Sequence, residues 1–302
     1  MTKSRLGKLF EMPAFLLFAT GGLIGLNFPL GKIAGEAGIS PLLWAWMISF
    51  SASISLLPFL IAGKKFSKPS RAVLRYSFIS GMVSFVAANL LLFSVIPHVG
   101  SGYSGLMFAL SPVFTLAIAV LFKLRAPNNL GVLGILIGFV GATIVAFSRQ
   151  SGVGASALFW PMAALLIPFT LAIGNVYRTL AWPSGQSPDL MAFWAHLFAA
   201  IVLGLLVILF QGPLTFFDLS QVPLIALVQA IVAGMTFPLF FRLQHFGGPV
   251  LLSQIGYVAA AVGLIAATMF LSEIYGILTW VGAGVIALGI GFAIISQRPK
   301  HQ

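Results

Sequence analysis

The chain has 302 residues, of which 60% are hydrophobic and 7% charged, with a formal net charge of +11 and no cysteine. Soluble domains carry roughly 25% charged residues, so this composition excludes a water-solvated globule and makes lipid the solvent for most of the surface. The positive charge does not indicate nucleic acid, because the basic residues fall in short gaps between apolar runs. The missing cysteines exclude disulfides and thiolate metal sites.

A spanning helix needs about 20 mostly apolar residues, and ten such stretches follow one another. The first covers 12–33 and holds Asn27 and Pro29. Lys3, Arg5 and Lys8 precede it as in a secretory signal. Its apolar run exceeds a signal core of roughly 7–15 residues, so it reads as a retained helix. The second, 42–62, opens at Ser40-Pro41. The third, 73–96, lines up Ser77, Ser80 and Ser84 on one face by i, i+3, i+7 spacing. The fourth, 100–122, puts Tyr103, Met107 and Leu110 on one face and contains Pro112. The fifth, 129–148, repeats glycine at 131, 134, 138 and 141, a small-residue packing surface. The sixth, 157–180, contains Pro168 and Asn175, and the seventh, 190–210, opens at Ser187-Pro188 and holds His196. The eighth, 221–243, aligns Gln229, Val232 and Thr236 and contains Pro238. The ninth, 249–271, presents Val250, Gln254 and Tyr257, and the tenth, 275–296, is again glycine-rich. The connections leave no room for a soluble domain.

Lys and Arg in short loops set orientation. With the N-terminus in the cytoplasm, 14 of the 16 Lys and Arg fall on that side, Arg178 among them, and only Lys32 and Arg149 fall outside. Both termini are therefore expected in the cytoplasm. A shift of 147 residues lays Ser40-Pro41 on Ser187-Pro188, His98 on His245 and Gly100 on Gly247, and brings Asn27 within one residue of Asn175. The expected architecture is an all-α integral membrane protein of ten helices in two inverted five-helix repeats, 1–149 and 150–302. Inverted repeats are a mark of secondary transporters, which hold substrate near the midplane where the halves meet.

The two five-helix halves, the paired Ser-Pro helix starts and the glycine-rich last helix of each half resemble the drug/metabolite transporter superfamily, in particular its EamA-type ten-helix members. Within it the chain is most similar to the aromatic amino acid exporters. Family members often carry a Gly-Glu pair between the fourth and fifth helices. Here the second half keeps only the acid, in Leu271-Ser272-Glu273, and the first half reads Phe122-Lys123-Leu124-Arg125. The resemblance implies an inner-membrane exporter of amino acids, aromatic and other neutral ones, working by alternating access. Helices one, three, four, six, eight and nine would line its cavity.

No paired carboxylates, His-Glu metal motif or nucleophile with a base is present, so an enzyme, a metal site and a cofactor are not expected. All five acids lie at or beyond helix ends. A charge at mid-membrane costs roughly 2.5–3.5 kcal/mol or more and persists only for a reason. Lacking a buried acid, the chain reads as a uniporter-like carrier of neutral or zwitterionic solutes. A proton-coupled multidrug exporter and a membrane assembly subunit are the alternatives. The candidate substrate residues are Asn27, Ser80, Tyr103, Met107, Asn175, Gln229, Thr236, Gln254 and Tyr257. For Asn27 and Asn175, cavity lining and a helix–helix hydrogen bond stay open together. Pro29, Pro112, Pro168 and Pro238, read as lying inside spans and away from first turns, are the candidate hinges. The glycine-rich fifth and tenth helices leave the oligomeric state open.

Overall fold

Helix starts follow from local chemistry. In a computed structural model of the chain, which describes residues 12–124, 128–147, 159–272 and 274–296, the Ser40 and Ser187 hydroxyls accept hydrogen bonds from the amides of Leu43 (3.1 Å) and Leu190 (3.3 Å). Proline follows each serine at the first helical position, where no amide hydrogen is needed. Ser70 caps the third helix in the same way, through Val73.

Among the described residues the chain is helical and without strands. Seven helices are long and apolar enough to cross a membrane, and three shorter apolar helices accompany them. In chain order these are α1 (Pro13–Glu36), α2 (Pro41–Ala62), α3 (Arg71–Val99), α4 (Ser101–Leu121), α5 (Asn129–Phe147), α6 (Met162–Leu180), α7 (Pro188–Gln211), α8 (Pro223–Ser253), α9 (Ile255–Phe270) and α10 (Ile277–Ile295). Most boundaries fall within a few residues of expectation. The eighth helix differs most, running ten residues beyond its expected end at 243. Its helical bonding carries across Gly248, whose φ of 70° and ψ of −174° turn the chain sharply into the segment 249–253 that leads to α9. Gly100, at φ 89° and ψ 161°, makes the corresponding turn between α3 and α4. This backbone region is essentially open to glycine alone.

Several helices are irregular within their length. In α3 a π-helical turn spans Met82–Ala87. In α4 the amides of Ala109 and Leu110 bond three residues back, and Gln254, between α8 and α9, does the same. Pro112 and Pro168 consequently do not sit inside continuous helix as expected. Pro112 lies in the first turn of the segment Ser111–Leu121, and Pro168 is the third residue of Leu166–Leu180. Each proline lacks the amide that would bond the residue four back, so the helix breaks just ahead of it. Pro29 and Pro238 do lie within α1 and α8.

The helices pack in partnerships. α1 lies against α8 and α9, α6 against α3, α4 and α8, α2 against α7 and α8, and α7 also against α3. The glycine-rich α5 and α10 pack on one another within the chain. A Cβ on Gly289 would lie 2.6 Å from the Gly134 carbonyl oxygen, and one on Gly141 2.7 Å from that of Gly282. The glycines therefore act as the close-approach surface that small residues provide between membrane helices.

Candidate functional site

Between the helices lies a cavity with about 50 Å³ open to a water-sized sphere. α1 contributes Ile24 and Asn27, α3 Ser84, Phe85, Asn89 and Leu92, and α4 Phe108 and Ser111. α6 adds Leu171 and Asn175, α8 Phe237 and Phe240, and α9 Ile255, with Ser253 at the end of α8; Ile48 of α2 completes the wall. Four phenylalanine rings and several aliphatic side chains make most of this surface apolar. The polar atoms are amides and hydroxyls.

One wall is backed by a charge. Arg178, expected as a cytoplasmic topology marker, is fully buried. It lies in the last turn of α6, i+3 from Asn175, which places both on the inward face. Its Nε donates to Gln244 Oε1 (3.2 Å), one terminal nitrogen to Asn175 Oδ1 (2.6 Å), and the other to the Ser84 hydroxyl. Gln244 in turn donates to Thr179 Oγ1 (2.7 Å) and the Asn175 carbonyl (3.3 Å). The guanidinium also lies 4.9 Å from the centre of the Phe240 ring and 5.9 Å from that of Phe85. Gly174 makes the Ser84 contact sterically feasible, since a Cβ there would collide with the Ser84 hydroxyl.

These neutral partners, the ring faces and the carbonyl dipoles at the α6 C-terminus offset part of the cost of burying the cation. No carboxylate among the described residues pairs with it. Asp189 is held by Arg242 at 2.9 Å, Glu36 lies 3.7 Å from Lys32, and Asp218 accepts from Gln221. Glu11 and Glu273 lie outside the described residues, as do Lys3, Arg5, Lys8, Arg125, Arg149, Arg298 and Lys300 of the charge pattern. The interior is therefore not free of charge: it holds the Arg178 cation.

Of the residues proposed from sequence, Asn27 and Asn175 line the cavity. Both also bridge helices. Asn27 Oδ1 accepts from Gln229 Nε2 of α8 at 2.5 Å, and Asn175 Nδ2 donates to Thr115 Oγ1 of α4 at 3.3 Å. The two readings of these asparagines thus hold together. Gln229 touches the cavity only through Asn27. The other six are not on its wall. The Tyr257 phenol is fully buried and donates to the Ile135 carbonyl of α5 at 3.0 Å, so its polar end ties two helices together. Thr236 bonds back to the Val232 carbonyl of its own helix. Ser80, Met107 and Gln254 are buried in helix contacts, and Tyr103 is half-buried against the core. The faces expected along the fourth and ninth helices are interrupted: Val250 lies in the end of α8 and Gln254 just ahead of α9, and Leu110 follows the break after Phe108.

Sequence reasoning missed Ser84 as a wall residue distinct from its serine stripe, and missed Asn89, Arg178 and Gln244. A signal for Arg178 was available in its i+3 spacing from Asn175. Gln244 lay beyond the expected end of its helix. His196 is buried with its ring stacked on Phe85, centroids 3.9 Å apart, and packed against Phe237 at 3.8 Å; neither nitrogen has a hydrogen-bond partner among the described residues.

Residues 12–147 match the model of the EamA-like transporter family. Over 286 residues, covering 92% of this chain and 90% of theirs, the chain is 26% identical to YedA of Escherichia coli K12 and to YedA of Escherichia coli O157:H7, both described as uncharacterized inner membrane transporters. A solved crystal structure superposes with a TM-score of 0.65 at 16% identity, covering 92% of this chain and 98% of its own. At that identity the likeness shows the fold alone. None of these matches singles out the aromatic amino acid exporters. The stretch 12–147 carries the pattern of the EamA-like transporter family, and nearly the whole chain is similar to membrane transporters.

Proposed function

We propose that the protein is an inner-membrane exporter of amino acids, aromatic and other neutral ones, that works by alternating access through the central cavity without a buried acidic coupling residue. The observation that carries this reading is the wall itself: four phenylalanine rings beside the amides of Asn27, Asn89 and Asn175, with no carboxylate on the wall among the described residues. Rings suit a flat apolar side chain, and amides suit the polar end of an amino acid. The contact pattern supports two inverted repeats, 1–149 and 150–302. Exchanging the halves turns α1–α9 contact into α6–α4, α1–α8 into α6–α3, and α2–α8 into α7–α3, and all of these contacts occur. Substrate contact is assigned to Asn27 and Asn175, with Gln229 holding Asn27 in place. Both termini are assigned to the cytoplasm by the distribution of Lys and Arg.

A proton-coupled exporter of cationic drugs fits the site less well. Its cargo would approach the Arg178 charge with no described carboxylate to meet it. Uptake of labelled phenylalanine into liposomes holding only the purified protein tests the reading. Saturable uptake with no imposed proton gradient is expected. Uptake confined to cationic dyes and driven by protons would overturn it.

A further inference from the structure

The buried cation does more than fill space, because it dictates which way its neighbours point. A guanidinium only donates hydrogen bonds. Ser84 Oγ, Asn175 Oδ1 and Gln244 Oε1 must therefore act as acceptors toward Arg178. That leaves the Ser84 hydroxyl hydrogen and the Asn175 amide hydrogens as the groups these two wall residues can offer elsewhere. Asn175 spends one amide hydrogen on Thr115 and keeps the other. Asn89 adds a third donor. It sits on the same wall, and its Nδ2 is buried without a hydrogen-bond partner. Ser84 lies within the π-helical turn of α3 and Asn89 just after it. Such turns reset the register of a helix face and are frequent at functional sites.

From this we infer that the cavity contains a carboxylate-binding subsite, formed by Ser84, Asn175 and Asn89 and oriented by Arg178. The wall presents hydrogen-bond donors backed by a buried positive charge that no carboxylate among the described residues pairs with, and the matching ligand chemistry is an acceptor with negative charge. A carboxylate fits this requirement, and an apolar tail lies against Phe85, Phe237 and Phe240. Arg178 is a positioning residue here, fully buried behind Ser84 and Asn175. The inference deepens the proposed function. It also extends to organic acids, because the shared chemistry is the carboxylate, whether an α-amino group accompanies it or not.

The test uses the purified full-length protein in detergent and four probes: phenylalanine, 3-phenylpropionate (no amino group), phenylalaninamide (no carboxylate) and phenethylamine (neither carboxylate nor amide). Ligand-induced rise in thermal midpoint gives binding. Phenylalanine or 3-phenylpropionate should stabilise the protein, while phenylalaninamide and phenethylamine should not. Arg178→Gln should weaken carboxylate binding roughly ten- to hundredfold, as expected for hydrogen bonds that depend on a charged group. Arg178→Lys should restore part of that loss. Ser84→Ala, a smaller change, covers the case in which the Arg178 variants do not fold, and should also narrow the preference for carboxylate over amide. A purely structural Arg178 would alter stability and leave that preference unchanged. Equal binding of phenylalanine and its amide, or no stabilisation by any carboxylate, overturns the subsite. Binding of 3-phenylpropionate without phenylalanine transport instead overturns the amino acid reading and leaves the subsite standing.

Discussion

Arg178 and Tyr257 show how a polar side chain in a membrane interior finds its role through its partners. The Tyr257 hydroxyl is committed to the Ile135 carbonyl at 3.0 Å, so the ring acts as a strut between α9 and α5. Replacing Tyr257 with Phe removes one neutral hydrogen bond and should lower stability by about 1 kcal/mol, while ligand affinity changes by less than about twofold. Thermal melting with and without phenylalanine measures both. A large loss of affinity at unchanged stability would return Tyr257 to the substrate site. Arg178 has the opposite character, because its bonds leave the charge without a counter-ion among the described residues. Asn27 stands between these cases, with its carbonyl oxygen taken by Gln229 and its side chain on the cavity wall.

At the level of helices, the turns that begin the fourth and ninth spans carry the strictest backbone demands. Gly100 and Gly248 both occupy a region closed to side chains. Alanine at either position should destabilise the protein by about 1–3 kcal/mol, and the pair together by roughly the sum, since the two sites lie in different turns. Thermal unfolding of the single and double variants checks this, and a melting point unchanged at Gly248→Ala would mean that the turn relaxes at no cost. Breaks ahead of Pro112 and Pro168 place the irregular backbone of α4 and α6 beside the cavity-lining residues Ser111 and Leu171. Irregular backbone at membrane depth is tolerated where it is buried in protein or lines a cavity. The glycine contacts between α5 and α10 show why those helices carry no wall residues: their small faces are spent on each other.

For the molecule as a whole, the absence of cysteine allows topology to be read directly. Cysteine placed at Ser220, in the Pro213–Gln221 segment after α7, should react with a membrane-impermeant maleimide on intact cells. Cysteine at the exposed Lys68, between α2 and α3, should react only after the cells are opened. The reverse pattern would invert the proposed orientation. The exchange-symmetric contacts bear on the proposed transport cycle as well, since two inverted repeats of the kind proposed would expose a shared cavity by rocking one against the other.

Much of this was legible in the linear chain. Apolar length marks a spanning helix because lipid leaves the backbone no other partner than itself, and Ser-Pro pairs mark helix starts because the cap and the missing amide act locally. Periodicity also showed which residues share a face, as with Gln229, Val232 and Thr236. It could not show what that face meets. Tyr257 and Gln254 are buried between helices, while Asn89, on no recognised stripe, lines the cavity just after a π-helical turn. Arg178 looked like a loop charge because hydropathy counts residues along the chain. Whether a charge near a helix end turns outward to water or inward to Ser84, Asn175 and Gln244 depends on partners 94, 3 and 66 positions away, and only packing brings the distant two alongside it.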